Sequence, residues 1–342
     1  MKSAYERIAA LADLRGLSGR ENAVGEAAAE QLRQYVPDAA YRDGSVIAHL
    51  GQNPAKPTLL LCAHLDQVGF LVTGITPEGF LRIGAVGGID HRLLLGQPVT
   101  VTGKGGTYPG VISILPPHLL TGDQAVPEDA QLCVDLGFAS AEALADKVVP
   151  GDAVYYGTTC KKLQNQRMTG SALDDRCCVA ALLMTAEILA DAGDLPCNVT
   201  FVFSGQEERS GRGAKLAAAN ESADEAIAVD VTFGLAHGED PHECMTLGKG
   251  PAIGISPVLS QELSEALTAA AKRANIAYQL EIMNGSTGTD ADSLALAPEG
   301  CRAGTVSVPL RNMHTPVEVI DMVDVAETAH LLAEYAKGCG AE

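Results

Sequence analysis

The chain contains no tryptophan, and aromatic residues make up only 4% of its 342 positions. That scarcity argues against the stacking platforms that hold single-stranded nucleic acid or carbohydrate. Positive charge is also short: 24 Lys and Arg stand against 43 Asp and Glu, a formal net charge of -19. A chain this acidic repels polyanions, so neither nucleic acid nor an anionic membrane is expected as a partner. No run of about 18 apolar residues occurs anywhere. Met1 to Leu14 reads as a charged amphipathic helix without the apolar stretch of a secretory signal. Nine cysteines are present, an odd and scattered set without a C-x-x-C pair, and Cys177 and Cys178 are neighbours in an apolar segment. They read as reduced core thiols, which places the protein in the cytoplasm.

With 46% hydrophobic and 20% charged residues, the composition is that of a globular protein with one large or two moderate domains. Residues Ala4 to Asp66 read as helix, helix and strands. Gln67 to Leu163 change character, being rich in Gly, Val, Thr and Pro with short alternating runs such as Phe70 to Thr73, Val99 to Val101 and Ala153 to Tyr156. Strands and Ala-rich helices then resume, including Gln261 to Asn275 and Val323 to Ala336. The pattern predicts an α/β domain, residues 1–66 plus 164–342, split by a small β-barrel-like insertion at 67–163. No internal repeat or low-complexity tract interrupts it.

Five side chains of metal-ligand type stand out: His64, Asp174, Glu208, Asp230 and His314. Four of them follow short apolar runs that read as strands, namely Thr58 to Cys62, Val199 to Phe203, Ala226 to Val229 and Thr305 to Leu310. In open α/β sheets the ligand crevice lies beyond the carboxyl ends of the strands, so the four are expected to converge there. Asp174 precedes the apolar stretch Cys177 to Ala190, which reads as a buried helix whose amino end can face the same crevice. Any one of these residues alone is more often a loop cap or a solvated strand end. The adjacent pair Glu207 and Glu208 would by itself read as an exposed turn. Their joint occurrence at corresponding strand ends is what points to a cation site. Asp66, two residues after His64, is the expected carboxylate partner of its imidazole.

The motifs Ala63-His64-Leu65-Asp66-Gln67-Val68-Gly69-Phe70, Val86-Gly87-Gly88-Ile89-Asp90, Ala172-Leu173-Asp174-Asp175-Arg176, Gln206-Glu207-Glu208, Asp230-Val231-Thr232, Gly288-Thr289-Asp290-Ala291 and His314-Thr315-Pro316 occur in this order. Together they resemble the dinuclear metal aminopeptidases of metallopeptidase family forty-two, over nearly the whole chain. The resemblance implies a mixed-sheet zinc-peptidase domain with helices on both faces, and an inserted barrel that mediates dimer contacts. It implies that Asp174 bridges two divalent cations, that His64 and Asp230 complete one site, and that Glu208 and His314 complete the other. Glu207 would be the general base, and Asp175 would follow the bridge as a supporting acid. Zinc is the expected metal, with cobalt or manganese as alternatives. The implied substrates are short peptides with a free amino terminus, and the implied assembly is a tetrahedral dodecamer built from dimers.

Three more residues are weighed. His118, in Pro116-Pro117-His118-Leu119, matches a segment of the insertion that approaches a neighbouring subunit's site in the family. Asp290, in the Gly-rich loop Gly285 to Ala291, is a candidate for the substrate pocket, although a simple turn explains the glycines equally well. His237 and His242 sit in an acidic loop and read as solvated. Two departures from the family pattern, Gln67 and the segment Arg209-Ser210-Gly211-Arg212, bear on fine specificity and leave the ligand set intact. Two cations about 3.5–4 Å apart share a water, lower its pKa and polarise a scissile carbonyl, so the chemistry needs these residue types independently of the family. The alternatives are another hydrolase on the same centre, such as an amidohydrolase, a deacylase or an endoglucanase, and a non-catalytic metal-binding shell protein. Glu207 counts against the last, because a scaffold has no use for a base.

Overall fold

The strand Thr58–His64 sets the architecture. Its Leu59, Leu61 and Ala63 enter one apolar cluster while Leu60 and Cys62 enter another, so alternating side chains are buried on both faces. Parallel neighbours Asn198–Ser204 and Glu225–Phe233 flank it, and Arg302–Arg311 runs parallel beside the latter. These four form the parallel centre of an 11-stranded sheet. Antiparallel strands extend it, with Ser45–Leu50 beyond Asn198–Ser204 and Glu318–Asp321 beyond Arg302–Arg311. The structure is a computed structural model and describes residues 3–114, 119 and 131–339.

Helices cover both faces of this mixed sheet. Ala4–Ala12, Asn22–Leu32, Leu173–Ala190, Gln261–Ala274 and Met322–Gly338 bury their apolar sides in the larger cluster, whereas Arg212–Asn220 and Ala291–Leu294 pack on the opposite side. Local chemistry marks their ends. Ser3 and Glu6 form a reciprocal capping box on the first helix. Ser260 caps Gln261–Ala274, which ends at Asn275 in the left-handed conformation with φ 55°. Leu173–Ala190 is apolar nearly all round because it lies between the sheet and three other helices, Ala4–Ala12, Asn22–Leu32 and Met322–Gly338.

Between His64 and Lys161 the chain leaves the sheet and closes a barrel. Its strands follow the order Gly69–Ile75, Leu81–Val86, Cys133–Asp135, Gly106–Ile112, Pro98–Gly103 and Ala153–Tyr156, with the last pairing back onto the first. Phe70, Leu81, Ile83, Val101, Val134 and Val154 fill it as a core of its own. Phe70 meets Tyr156 edge to face at 5.8 Å between ring centres. The main sheet resumes at Lys161–Lys162, which pairs with Arg167–Gly170. The expected combination of an α/β sheet domain and an inserted barrel is therefore the fold observed. His118 lies outside the described residues. All nine cysteines are free thiols.

Candidate metal centre

The four parallel strands end at one edge of the sheet, and the ligand-type residues gather there. His64 is the last residue of its strand, and Glu207 and Glu208 follow Asn198–Ser204 within four positions. Asp230 lies inside Glu225–Phe233, and His314 comes three residues after Arg302–Arg311. Three non-glycine residues beside the site, Ala172, Gln206 and His314, adopt left-handed backbone with φ of 59°, 62° and 61°. Each such conformation costs on the order of 1–3 kcal/mol and persists because the surrounding packing over-determines it. The helix Leu173–Ala190 opens irregularly, with non-helical backbone at Asp174 and Asp175 and a cis peptide bond between them.

Asp174 is the centre of the cluster. Its Oδ1 lies 3.0 Å from His64 Nε2, and its Oδ2 lies 3.2 Å from His314 Nε2. Two oxygens of one carboxylate thus face two different imidazoles, as a carboxylate bridging two cations requires. His64 Nε2 is also 3.9 Å from Asp230 Oδ1, and His314 Nε2 is 3.4 Å from Glu208 Oε2. The five expected ligands therefore divide into a His64 and Asp230 side and a His314 and Glu208 side, with Asp174 between. Ligand atoms of His64, Asp174 and Glu208 lie within 4.8 Å of one another, and so do those of His64, Asp175 and Asp230.

A ring of hydrogen bonds holds these side chains from behind. His64 Nδ1 contacts the main-chain carbonyl of Asp66 at 3.1 Å, whereas the Asp66 carboxylate is 3.7 Å away. That carboxylate instead accepts from the amides of Glu207 at 2.9 Å and Glu208 at 3.2 Å. The expected imidazole partner is thus the backbone of Asp66, and its side chain positions the acidic pair, because amides point more directly at its oxygens. Asp175 is fully buried and accepts from the His64 amide at 3.0 Å. Asp290 is buried beneath the strand ends, where it accepts hydrogen bonds from Ser204 and Cys62. It is not a wall of the cleft; the same loop contributes Thr287, Gly288 and Thr289 there. His237 and His242 are exposed, away from the cluster.

Three supports were given no role by the sequence, although Gly88 and Arg176 lie in its motifs. Glu318 is buried and accepts from the amides of Leu173 at 2.7 Å, Asp174 at 3.2 Å and His314 at 3.0 Å, tying two ligands together. The carbonyl of Gly88, in the barrel, receives His314 Nδ1 at 2.7 Å. Arg176 is fully buried and donates to the carbonyls of Leu65, Leu11, Leu14 and Gly16 and to Gln67 Oε1, so it clamps the His64 loop onto the first helix. Gln67 also accepts from the Gly16 amide at 3.2 Å, which gives that departure from the family pattern a structural partner. The motif signal that could have found Arg176 was its place directly after two acids.

Burial and mutual repulsion both raise the carboxyls, and the two imidazoles oppose them. Burial pushes Glu207 up to about 7, with Asp290, Asp174 and Asp66 adding to it and His64 opposing. Burial and then Asp174 push Glu208 up to about 8. Burial raises Asp230 and Asp175 well above the usual carboxyl range. Burial would lower His314, but its bond to Asp174 and the surrounding carboxylates push it up to about 10. Burial opposes ionisation of Asp174 too, yet its bonds to His314 and His64 hold it well below the ordinary value. Glu208 Oε1 and Asp175 Oδ1 are buried without hydrogen-bond partners, which costs roughly 1–3 kcal/mol each. A cluster of acids that is hard to ionise, with unpartnered oxygens facing inward beside two imidazoles, fits divalent cations, which would restore both the charge and the missing contacts. Imidazole with carboxylate suits zinc, cobalt or manganese better than calcium or magnesium.

These residues open into a cleft of about 590 Å³ that also exposes Arg209, Thr232, Phe233, Glu281 and Met313. A parallel-centred α/β sheet with imidazoles and carboxylates at its carboxyl edge, opening into such a cleft, defines a hydrolase of the metallopeptidase class. The chain belongs to the M42 glutamyl aminopeptidase family, whose profile matches residues 44–331, and it is a peptide hydrolase. It is 33% identical to the lysyl aminopeptidase of Pyrococcus furiosus over 295 residues, covering 84% of this chain and 83% of that one. An aminopeptidase from the archaeon Desulfurococcus kamchatkensis superposes with a TM-score of 0.91 at 33% identity, over 98% of this chain and 94% of that one. The TET1 peptidase of Pyrococcus horikoshii, which can assemble into a tetrahedron or a large octahedral shell, superposes at 0.87 with 31% identity, over 98% and 99%.

Proposed function

We propose that the protein removes the amino-terminal residue from short peptides at a centre of two divalent cations, with Glu207 as general base. The observation that carries the reading is Asp174, whose two oxygens face His64 and His314 separately. His64 and Asp230 would hold one cation, Glu208 and His314 the other, and Asp174 both. When bound, such a pair supplies Lewis acidity to the scissile carbonyl and lowers the pKa of a water. Glu207 shares the cleft with Glu208, and its backbone is fixed by the Asp66 carboxylate. It takes a proton from the attacking water as the oxygen bonds to the carbonyl carbon. It then delivers that proton to the amine as the carbon–nitrogen bond breaks.

Self-association belongs to the same proposal. The barrel exposes Leu93, Leu95, Val111 and Ile114, the last 60% accessible. Leu95 and Val111 are brought close by the 3.0 Å bond from the Gly96 amide to the Ile112 carbonyl. Exposed apolar side chains on a small module are what a partner copy would cover. No helix among the described residues is long and apolar enough to cross a membrane.

The test is hydrolysis of free and amino-terminally acetylated short peptides by protein loaded with zinc, cobalt or manganese. Cleavage of the free peptides alone is expected. Glu207→Gln should lower kcat by about a hundred- to ten-thousand-fold while the metal content measured by atomic emission stays the same. Equal cleavage of acetylated peptides, or a fully active Glu207→Gln, would overturn the reading.

A further inference from the structure

Beyond the metal set and Glu207, two charged residues line the cleft, Arg209 and Glu281. Arg209 follows Glu208 on an exposed turn, where water screens its charge. Glu281 is different. It lies on the strand Gln279–Ile282 and is sheltered by the sheet. It accepts hydrogen bonds from the hydroxyls of Thr232 and Ser307, the former at 2.5 Å. No Lys, Arg or His among the described residues pairs with it. A sheltered carboxylate held by two neutral donors, open on its remaining side to a cleft, lacks only a cation.

Its distance from the reacting centre is set by the sheet. Thr232 lies two residues beyond Asp230 on the same strand, so the two side chains share a face about 6.6 Å apart along it. Ser307 stands directly across from Asp230 on the neighbouring strand. Glu281 therefore sits one pleat past the candidate ligand. An extended lysine side chain reaches roughly 6 Å from its Cα, and an arginine slightly more. A substrate whose first residue is anchored by its amino group at the centre, with its side chain pointing along the strand, brings its cationic end to Glu281.

We propose that Glu281 selects peptides whose first residue is lysine or arginine, by pairing with that residue's charged end. This rests on the aminopeptidase reading above. Leu or norleucine would fill the same cleft and leave the carboxylate unpartnered, while a first-residue Glu would be repelled.

The test compares kcat/KM for matched peptides beginning with Lys, Arg, norleucine or Glu, for the metal-loaded protein and for Glu281→Gln and Glu281→Asp. Calorimetric binding of free L-lysine and L-norleucine to the same proteins is measured alongside. The protein should favour Lys over norleucine by about tenfold or more, Glu281→Gln should abolish the preference while leaving norleucine within about twofold, and Glu281→Asp should restore part of it. Equal cleavage of Lys and norleucine peptides would overturn the proposal and leave the aminopeptidase reading intact. So would an equal loss on both substrates in Glu281→Gln, which is the mark of a structural role. A preference for Glu peptides would overturn it in favour of Arg209. If no peptide is cleaved, the aminopeptidase reading fails, and calorimetry decides the inference: lysine binding lost in Glu281→Gln upholds the subsite, and no difference between lysine and norleucine removes it.

Discussion

The proposed role of Glu207 as a base requires it to be ionised, and burial, with Asp290, Asp174 and Asp66, raises it to about 7 in the metal-free site. Cations in the centre favour its charged form and move the midpoint below that value. We therefore expect kcat to fall on acidification along a single limb with a midpoint under about 7, read from a pH–rate profile of the metal-loaded protein. An acid limb above 7 would mean that another group limits the rate. At this scale the sequence was legible where a side chain of metal-ligand type stands at or shortly beyond the end of an apolar strand, as at His64 and Glu208. It was silent on Glu318 and showed Gly88 only as part of a motif without a role, because both act on the site through main-chain groups whose positions depend on segments far apart in the chain.

The helix Asn22–Leu32 shows how an element can be tuned against its own propensity. Gly25 lies inside it, and a Cβ there would stand 2.2 Å from the Tyr41 ring. Alanine would favour the helix by about 1 kcal/mol. That gain is smaller than the overpacking cost of roughly 1–3 kcal/mol, because the ring must move and break the 3.0 Å bond from its hydroxyl to Asn22. Gly25→Ala should therefore lower stability, by up to about 2 kcal/mol, in urea unfolding of the metal-loaded protein. A stabilised variant would show that Tyr41 rearranges freely. Helices announced by caps and periodicity, such as Gln261–Ala274, were readable, and so was the helix over Cys177 to Ala190 that Asp174 precedes, whereas the backbone conformation of Asp174 and Asp175 was not. That conformation is imposed by Glu318 and His64, both remote in sequence.

Across the whole molecule, the centre makes metal-free stability depend on pH with a definite sign. Glu208 is raised from 4.5 to about 8, so the folded state binds more protons than the unfolded one across that interval and stability falls as pH rises. His314 is raised from 6.5 to about 10, so its contribution is complete below 6.5 and is lost as pH climbs toward 10. Both act in one direction. The metal-free protein should show a lower Tm at pH 9 than at pH 6, and added zinc should shrink the difference by replacing those protons. An unchanged pH dependence with zinc would argue against cations at these residues. The proposed self-association gives a second expectation: light scattering should find a particle larger than the 35.4 kDa chain, and twelve times its mass if it assembles as the family resemblance implies. Ile114→Asp, which puts a charge on the exposed patch, should shift it toward smaller species.

The sequence by itself determined the class of fold and the types of residue at the centre. Buried strands require continuous apolar runs, and a cation site requires imidazoles and carboxylates at their ends, so both leave local marks. Tertiary structure alone decided which groups hold those residues in place: the Asp66 carboxylate on the Glu207 and Glu208 amides, Arg176 across the His64 loop, and the barrel's Gly88 against His314. It also decided that Glu281, on a short strand with no motif around it, shares a cleft with the centre. Those relations are distances between segments that pair through the sheet, and no local pattern of residues encodes a distance between distant parts of the chain.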